Sequence, residues 1–169
     1  MSNDNQGNKG MPRSETRIKF AEEWVKQFFD ILDNSLDEET RNKVIMAKGK
    51  ACYRNWIKKS GQKIKRKTLE EYKTWVEENV TNDSVRIEGN TIYFQYMSAA
   101  ETGLPSDEGQ CLCPFVETLP EGLSDSYCLC SVGYVKEWHE LLLGKEVEVE
   151  LLESVLRGGK RCKFKITVL

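Results

Sequence analysis

Near residue 83 the spacing of apolar side chains changes from every third or fourth position to every second, which commits the chain to helices first and a sheet after. Upstream, Ile18, Trp24, Val25, Phe28, Phe29, Ile31 and Leu32 recur at helical spacing behind Ser14, a residue able to cap the helix start, and the segment ends near Asp33 and Asn34. Asp37 opens a second helix with Val44, Ile45, Ala51, Cys52, Trp56 and Ile57 on its apolar stripe, and Gly61 stops it. Thr68 opens a third and shorter helix. Glu70 and Glu71 occupy its first turn, where the helix dipole favours negative charge, and Tyr72, Trp75, Val76 and Val80 form its inner face. The aromatic stripes of these helices read as core packing.

Downstream, VRIEGNTIYFQYM alternates about Gly89-Asn90, the pattern of a β-hairpin. Residues 98–127 are rich in Gly, Pro, Ser and Asp and read as a long loop. A helix then runs from Ser131 through Tyr134, Val135, Trp138, Leu141 and Leu142 to a Gly144 C-cap. The remainder, EVEVELLESVLRGGKRCKFKITVL, reads as a second hairpin. With Gly158-Gly159 as its turn, Val155 faces Cys162, Glu153 faces Phe164, Leu151 faces Ile166 and Val149 faces Val168. The expectation is an α+β fold: N-terminal helices packed on a small antiparallel sheet made of two hairpins, with one helix before the C-terminal hairpin. Residues 1–13 have little to bury and read as a disordered lead-in. Residues 14–169 read as one domain, with a helical half at 14–80 and a sheet- and cysteine-bearing half at 83–169.

No apolar run approaches the roughly 18–20 residues that would cross a bilayer, so no membrane is expected as a partner. The N-terminus also lacks the apolar stretch of a secretory signal. A cytoplasmic, reducing location follows as the expectation, and structural disulfides are rare there. Residues 1–68 hold 16 Lys/Arg against 9 Asp/Glu, mostly through KKSGQKIKRK at Lys58–Lys67. That stretch reads as a solvated connection between helices, so a nucleic acid is the third choice of partner rather than the first.

The chain has six cysteines, and four of them form the pairs Cys111/Cys113 and Cys128/Cys130. In an extended segment, residues i and i+2 point to one side, so each pair could present both thiolates to one ion. Four thiolates would suit zinc or, alternatively, an iron–sulfur cluster. Cys162 and Glu153 are the alternates, able to complete a site to which each pair gives one thiol. Buried apolar cysteines and a redox-active pair are the other readings. Glu153 stands out as a carboxylate on an otherwise apolar strand face. Such a group needs a cation, a metal or a dedicated donor, or else acts as an acid/base group. His139, the only histidine, lies one helical turn from Val135 on the flank of the buried stripe. It reads as a surface or core-edge residue before a catalytic base. No Gly-rich phosphate loop and no Ser-His-Asp arrangement is visible.

Cys128, GYVKEWHELLLG, VEVELLES and GGKRCKF together resemble the 4-vinyl-reductase-type, hydrocarbon-binding small-molecule-binding domain. The resemblance implies a zinc ion supporting an apolar ligand pocket, held by three cysteines and a glutamate. Cys128 and Cys162 match two of those cysteines, whereas Leu151 and Ser154 occupy the other two positions. The same ending is similar to that of bacterial proteins grouped as L-2-amino-thiazoline-4-carboxylate hydrolases, which implies opening of a small cyclic amidine. The expected function is binding of an apolar or aromatic small molecule beside a cysteine-rich metal site. A small hydrolase of C–N bonds, using the metal or Glu153, is the alternative. A homodimer is left open beside a monomer.

Overall fold

The computed structural model describes residues 15–96, 111, 113 and 121–169. The expected lead-in at 1–13 and most of the 98–127 loop lie outside the described residues. Three helices come first, α1 (Glu15–Ser35), α2 (Glu38–Ser60) and α3 (Leu69–Asn79), followed by the hairpin β1 (Val85–Glu88) and β2 (Thr91–Gln95). After a 3-10 turn at Asp125–Cys128 come α4 (Leu129–Leu143), β3 (Val147–Glu153), a second 3-10 turn at Val155–Arg157 and β4 (Lys163–Val168). No helix among the described residues is long and apolar enough to cross a membrane.

Local signals account for most of the element ends. Asp37 caps α2 by accepting from the Thr40 amide at 2.9 Å. Thr68 and Glu71 form a reciprocal capping box at α3, with bonds of 2.7 and 3.1 Å. Gly61 and Gly144 close α2 and α4 at φ 67° and 63°, a conformation that costs glycine nothing sterically.

The four strands form one antiparallel sheet in the order β1-β2-β4-β3. Ile92 faces Ile166 and Phe94 faces Phe164, while Val147 faces Val168 at the β3 edge. These residues line one side of the sheet, where they pack with Val132, Val135 and Leu142 of α4 and with Tyr72 and Val76 of α3. The opposite side is polar, with Arg86 over the Tyr93 ring and Lys165 near Glu150 at 3.5 Å. The result is the expected α+β arrangement.

α2 lies on α4 at an unusually close crossing. A Cβ on Gly49 would stand 1.9 Å from the Cys130 carbonyl oxygen, and one on Gly133 would stand 2.0 Å from that of Met46. Each helix therefore lends a glycine to the other's backbone. Charge ties the same pair together: Arg54 grips the buried Glu137 carboxylate at 2.6 and 3.2 Å, and Lys50 donates to Glu140 at 2.9 Å.

Three sequence expectations are corrected here. The apolar stripe of α1 is not wholly core. Phe29 is buried, but Phe20, Trp24 and Ile31 are 74%, 58% and 61% exposed, and Trp24 stacks on the partly exposed Phe28 at 5.5 Å. Apolar residues at 24, 25, 28 and 29 cover too much of the helix circumference for one buried face to take them all. On α2 the inner line is Ile45, Gly49 and Tyr53, while Val44 and Trp56 face outwards. The point of closest approach carries no side chain, so a count of apolar residues misses it.

The third correction is the second hairpin. Its connection is longer than Gly158-Gly159. The Ser154 side chain caps the 3-10 turn through the Arg157 amide, and Gly158 closes that turn at φ 80°. Leu151 consequently faces Phe164 and Val149 faces Ile166, two residues from the expected register but on the same side of the sheet. A bulge between Leu151 and Glu153 then takes Glu153 off the core face and opposite Lys163.

Candidate functional site

A second apolar cluster lies apart from the sheet core. It contains Phe29, Ile45, Leu123, Tyr127 and Cys128, with Cys113, Cys130, Leu151 and Leu156 packed against it. All six cysteines are free thiols, and Cys128 is buried. Phe29 meets Tyr127 edge-on at 5.0 Å, and the Tyr127 hydroxyl hydrogen-bonds the Cys113 thiol at 2.6 Å. The Ser154 hydroxyl hydrogen-bonds the Cys128 thiol.

The expected extended geometry of Cys128 and Cys130 is not what forms. Cys128 ends the 3-10 turn and Cys130 lies in the first turn of α4. On a helix, neighbours at i and i+2 point to different sides, and the two thiols diverge. Cys128 adjoins Cys162 and Cys111, whereas Cys130 adjoins Cys52. Cys111 in turn lies near Cys113 and Cys162. The thiols thus form a wall of Cys111, Cys113, Cys128 and Cys162, with Cys130 at its edge, near Cys113 and reaching to Cys52 on α2. Cys162, matched to Cys128 through the family resemblance, does come to stand beside it.

Burial dominates the electrostatics of the wall. It pushes the Cys111 thiol up to about 11 and Cys128 to about 12, with neighbouring sulfurs adding to the shift, and it raises Cys162 as well. These three are protonated, neutral and weakly polar at neutral pH. Among the described residues no three His, Cys, Asp or Glu side chains stand together as a metal would need. Cys113 and Cys128 have separate hydroxyl partners, Tyr127 and Ser154.

Glu153 and His139 lie in two different environments. Glu153 ion-pairs with Lys163 at 2.7 Å and accepts from the Lys160 amide at 2.9 Å, and these contacts hold its carboxyl below the usual range, Lys163 foremost. The dedicated donors expected for it are therefore local to its own hairpin. His139, expected at the core edge, is fully buried among Tyr72, Phe94 and Trp138. Its Nδ1 hydrogen donates to the Val135 carbonyl at 2.9 Å, which leaves Nε2 as an acceptor without a partner among the described residues. Burial lowers its pKa to about 4, so the ring is neutral.

The basic stretch becomes the end of α2 and the connector to α3. Its Lys67 amide bonds the Leu142 carbonyl at 2.9 Å and Ile64 packs on the sheet core, as a helix-to-helix connection should. An open depression of about 400 Å³, lined by Met46, Lys136, Glu148, Glu150 and Lys165 among others, contains no cysteine. Sequence reasoning missed Tyr127 and Lys48, whereas Ser154 was marked only as standing at a cysteine position of the resembled family. Tyr127 is flagged only by adjacency to Cys128, and Lys48 has no signal beyond residue type.

Among solved structures, the chain is similar to a trafficking protein particle complex subunit 3 from Naegleria fowleri covalently bound to palmitic acid. The match has a TM-score of 0.50 at 14% identity and covers 90% of this chain and 94% of that one. That likeness concerns the fold. A vinyl-4-reductase family protein from Methanocaldococcus jannaschii also matches, at 16% identity over 93% of this chain and 89% of that one. Its TM-score of 0.35 is too low for the superposition to add to the argument. No curated protein matches the sequence. Over residues 10–169 the sequence fits a single family profile, and the chain belongs to that family, a family of unknown function (DUF6144).

Proposed function

We propose that this chain binds an apolar small molecule, acyl or aromatic, against the wall formed by Cys111, Cys113, Cys128 and Cys162. The observation that carries the reading is the placing of Cys113 and Cys128 in an apolar shell with Phe29, Leu123 and Tyr127, beside Cys111 and Cys162, where burial keeps Cys111, Cys128 and Cys162 uncharged. Neutral thiols in such a shell present a soft, weakly polar surface suited to hydrocarbon or an aromatic ring. The palmitic acid held by the fold-similar trafficking subunit supports an acyl chain as the ligand class. A metal at the same sulfurs is the finer alternative that the sequence raises.

The test uses the full chain purified without added metal or lipid and titrated with a fluorescent sixteen-carbon fatty-acid analogue. Saturable binding of one probe per chain, competed by palmitate and weakened about tenfold or more in Cys113→Trp, is the expected result. Non-saturable uptake, or equal affinity in the variant, contradicts it. Elemental analysis of the same sample separates the alternatives, since about one zinc or one iron cluster per chain would assign the thiols to a metal.

A further inference from the structure

The pair Cys52 and Cys130 begins at the edge of the apolar wall, where Cys130 packs, and has different chemistry around Cys52. Lys48 lies one turn before Cys52 on α2, and its ammonium donates to the Cys52 thiol at 2.9 Å. Gly49, between them, is where α2 meets the backbone of Cys130 on α4. Residues 49 and 52 share a helix face, so Cys52 projects at the tightest point of the crossing, and its sulfur adjoins that of Cys130. Both cysteines are part-exposed free thiols. We infer that Cys52 and Cys130 form a redox-active dithiol, with Lys48 as its activating cation, that closes to a disulfide between α2 and α4 when it meets a hydroperoxide.

The roles follow from the surroundings. The Lys48 ammonium lies against the Cys52 sulfur, which assigns Cys52 as the attacking sulfur. Cys130 adjoins Cys52 from the facing helix, which makes it the resolving thiol. In the first step the Cys52 thiolate attacks one peroxide oxygen. An S–O bond forms, the O–O bond breaks, and the departing hydroxide takes a proton to become water. In the second step the Cys130 sulfur attacks that of Cys52. The S–S bond forms, the S–O bond breaks, and the hydroxyl leaves as water with the Cys130 proton. Two thiols lose two electrons and one hydroperoxide is reduced. For hydrogen peroxide the products are the disulfide and two waters, and a dithiol reductant reverses the closure. The Cys130 carbonyl lies against α2 at Gly49, three residues before Cys52, and closure requires the two cysteine Cα atoms to reach about 4.4–6.8 Å.

The experiment treats the reduced full chain with one equivalent of hydrogen peroxide, quenches with N-ethylmaleimide, and maps peptides without reduction. A Cys52–Cys130 cross-link as the main product is expected, absent in Cys52→Ser and in Cys130→Ser. Lys48→Met, a change on an exposed side chain, should slow closure about tenfold at pH 7. Cross-linking of other cysteines while Cys52 and Cys130 keep their maleimide labels overturns the proposal. Arrest at a sulfenic acid, or a closure rate indifferent to Lys48 at every pH, does the same. Cys52→Ser should bind the fatty-acid probe as the parent does, so this inference and the ligand-binding reading fail separately.

Discussion

Beneath α4 the large apolar side chains meet partners across the sheet, whereas beneath α1 the apolar shell is interrupted by thiols and one whole side of the helix faces outwards. In the first region Phe94, Phe164, Ile92 and Ile166 interlock, and a fully buried polar residue, His139, is held neutral by burial. In the second, Phe29 and Tyr127 share their cluster with Cys113, Cys128 and Cys130. The contrast teaches a division of labour. Close-packed elements with fixed registers make a frame, and the sulfur-rich cluster at its flank is the softer of the two.

The sharpest way to break that comparison is to attack the frame where it has no slack. Gly49→Ala or Gly133→Ala puts a methyl group within about 2 Å of a backbone carbonyl, so α2 and α4 must separate. A loss of about 3 kcal/mol or more in urea unfolding, or failure to fold, is expected from each. A loss below about 1 kcal/mol would show that the helix pair is not the rigid element described here.

The acid limb of stability sharpens the same point. The His139 pKa is about 4 when folded, below its value near 6.5 in an unfolded chain. The unfolded state therefore takes up the proton first, and stability falls as the pH drops from about 6.5 to about 4. The full difference is about 3 kcal/mol. His139→Leu should flatten that portion of the stability–pH curve, measured by urea unfolding at pH 7 and pH 4.5. An unchanged slope would mean that the ring is already charged or solvated in the folded protein.

Changes in the flank should be small. Trp24→Ala removes a largely exposed ring and should shift stability by about 0.5 kcal/mol or less. Glu153→Gln loses a part-exposed pairing with Lys163 and should stay within about 1 kcal/mol. If either matched the glycine variants, the two regions would not differ as described.

How much of this was legible in the sequence depends on which force decided each feature. Caps and glycine stops at Asp37, Thr68, Gly61 and Gly144 are local chemistry and sit where residue type says they should. The first hairpin, pinned by the two-residue Gly89-Asn90 turn, keeps its expected register, with Glu88 facing Thr91. The second does not, because the Ser154 cap and the Val155–Arg157 turn lengthen the connection at the expense of Gly158-Gly159. The direction in which the Cys128 and Cys130 thiols point was hidden for a related reason. A helix starts at Leu129, earlier than the apolar period suggested, and turns an in-line pair into a divergent one. The partnership of Cys128 with Cys162 and Ser154 is tertiary, and no spacing encodes it.

The most direct test of the central claim is differential alkylation of the full chain at about pH 9, with and without saturating palmitate, read cysteine by cysteine by mass spectrometry. Binding against the apolar wall predicts that Cys111, Cys113, Cys128 and Cys162 are slowed about tenfold or more while Cys52 reacts at its original rate. Uniform rates at all these cysteines, or protection confined to Cys52, would contradict the account.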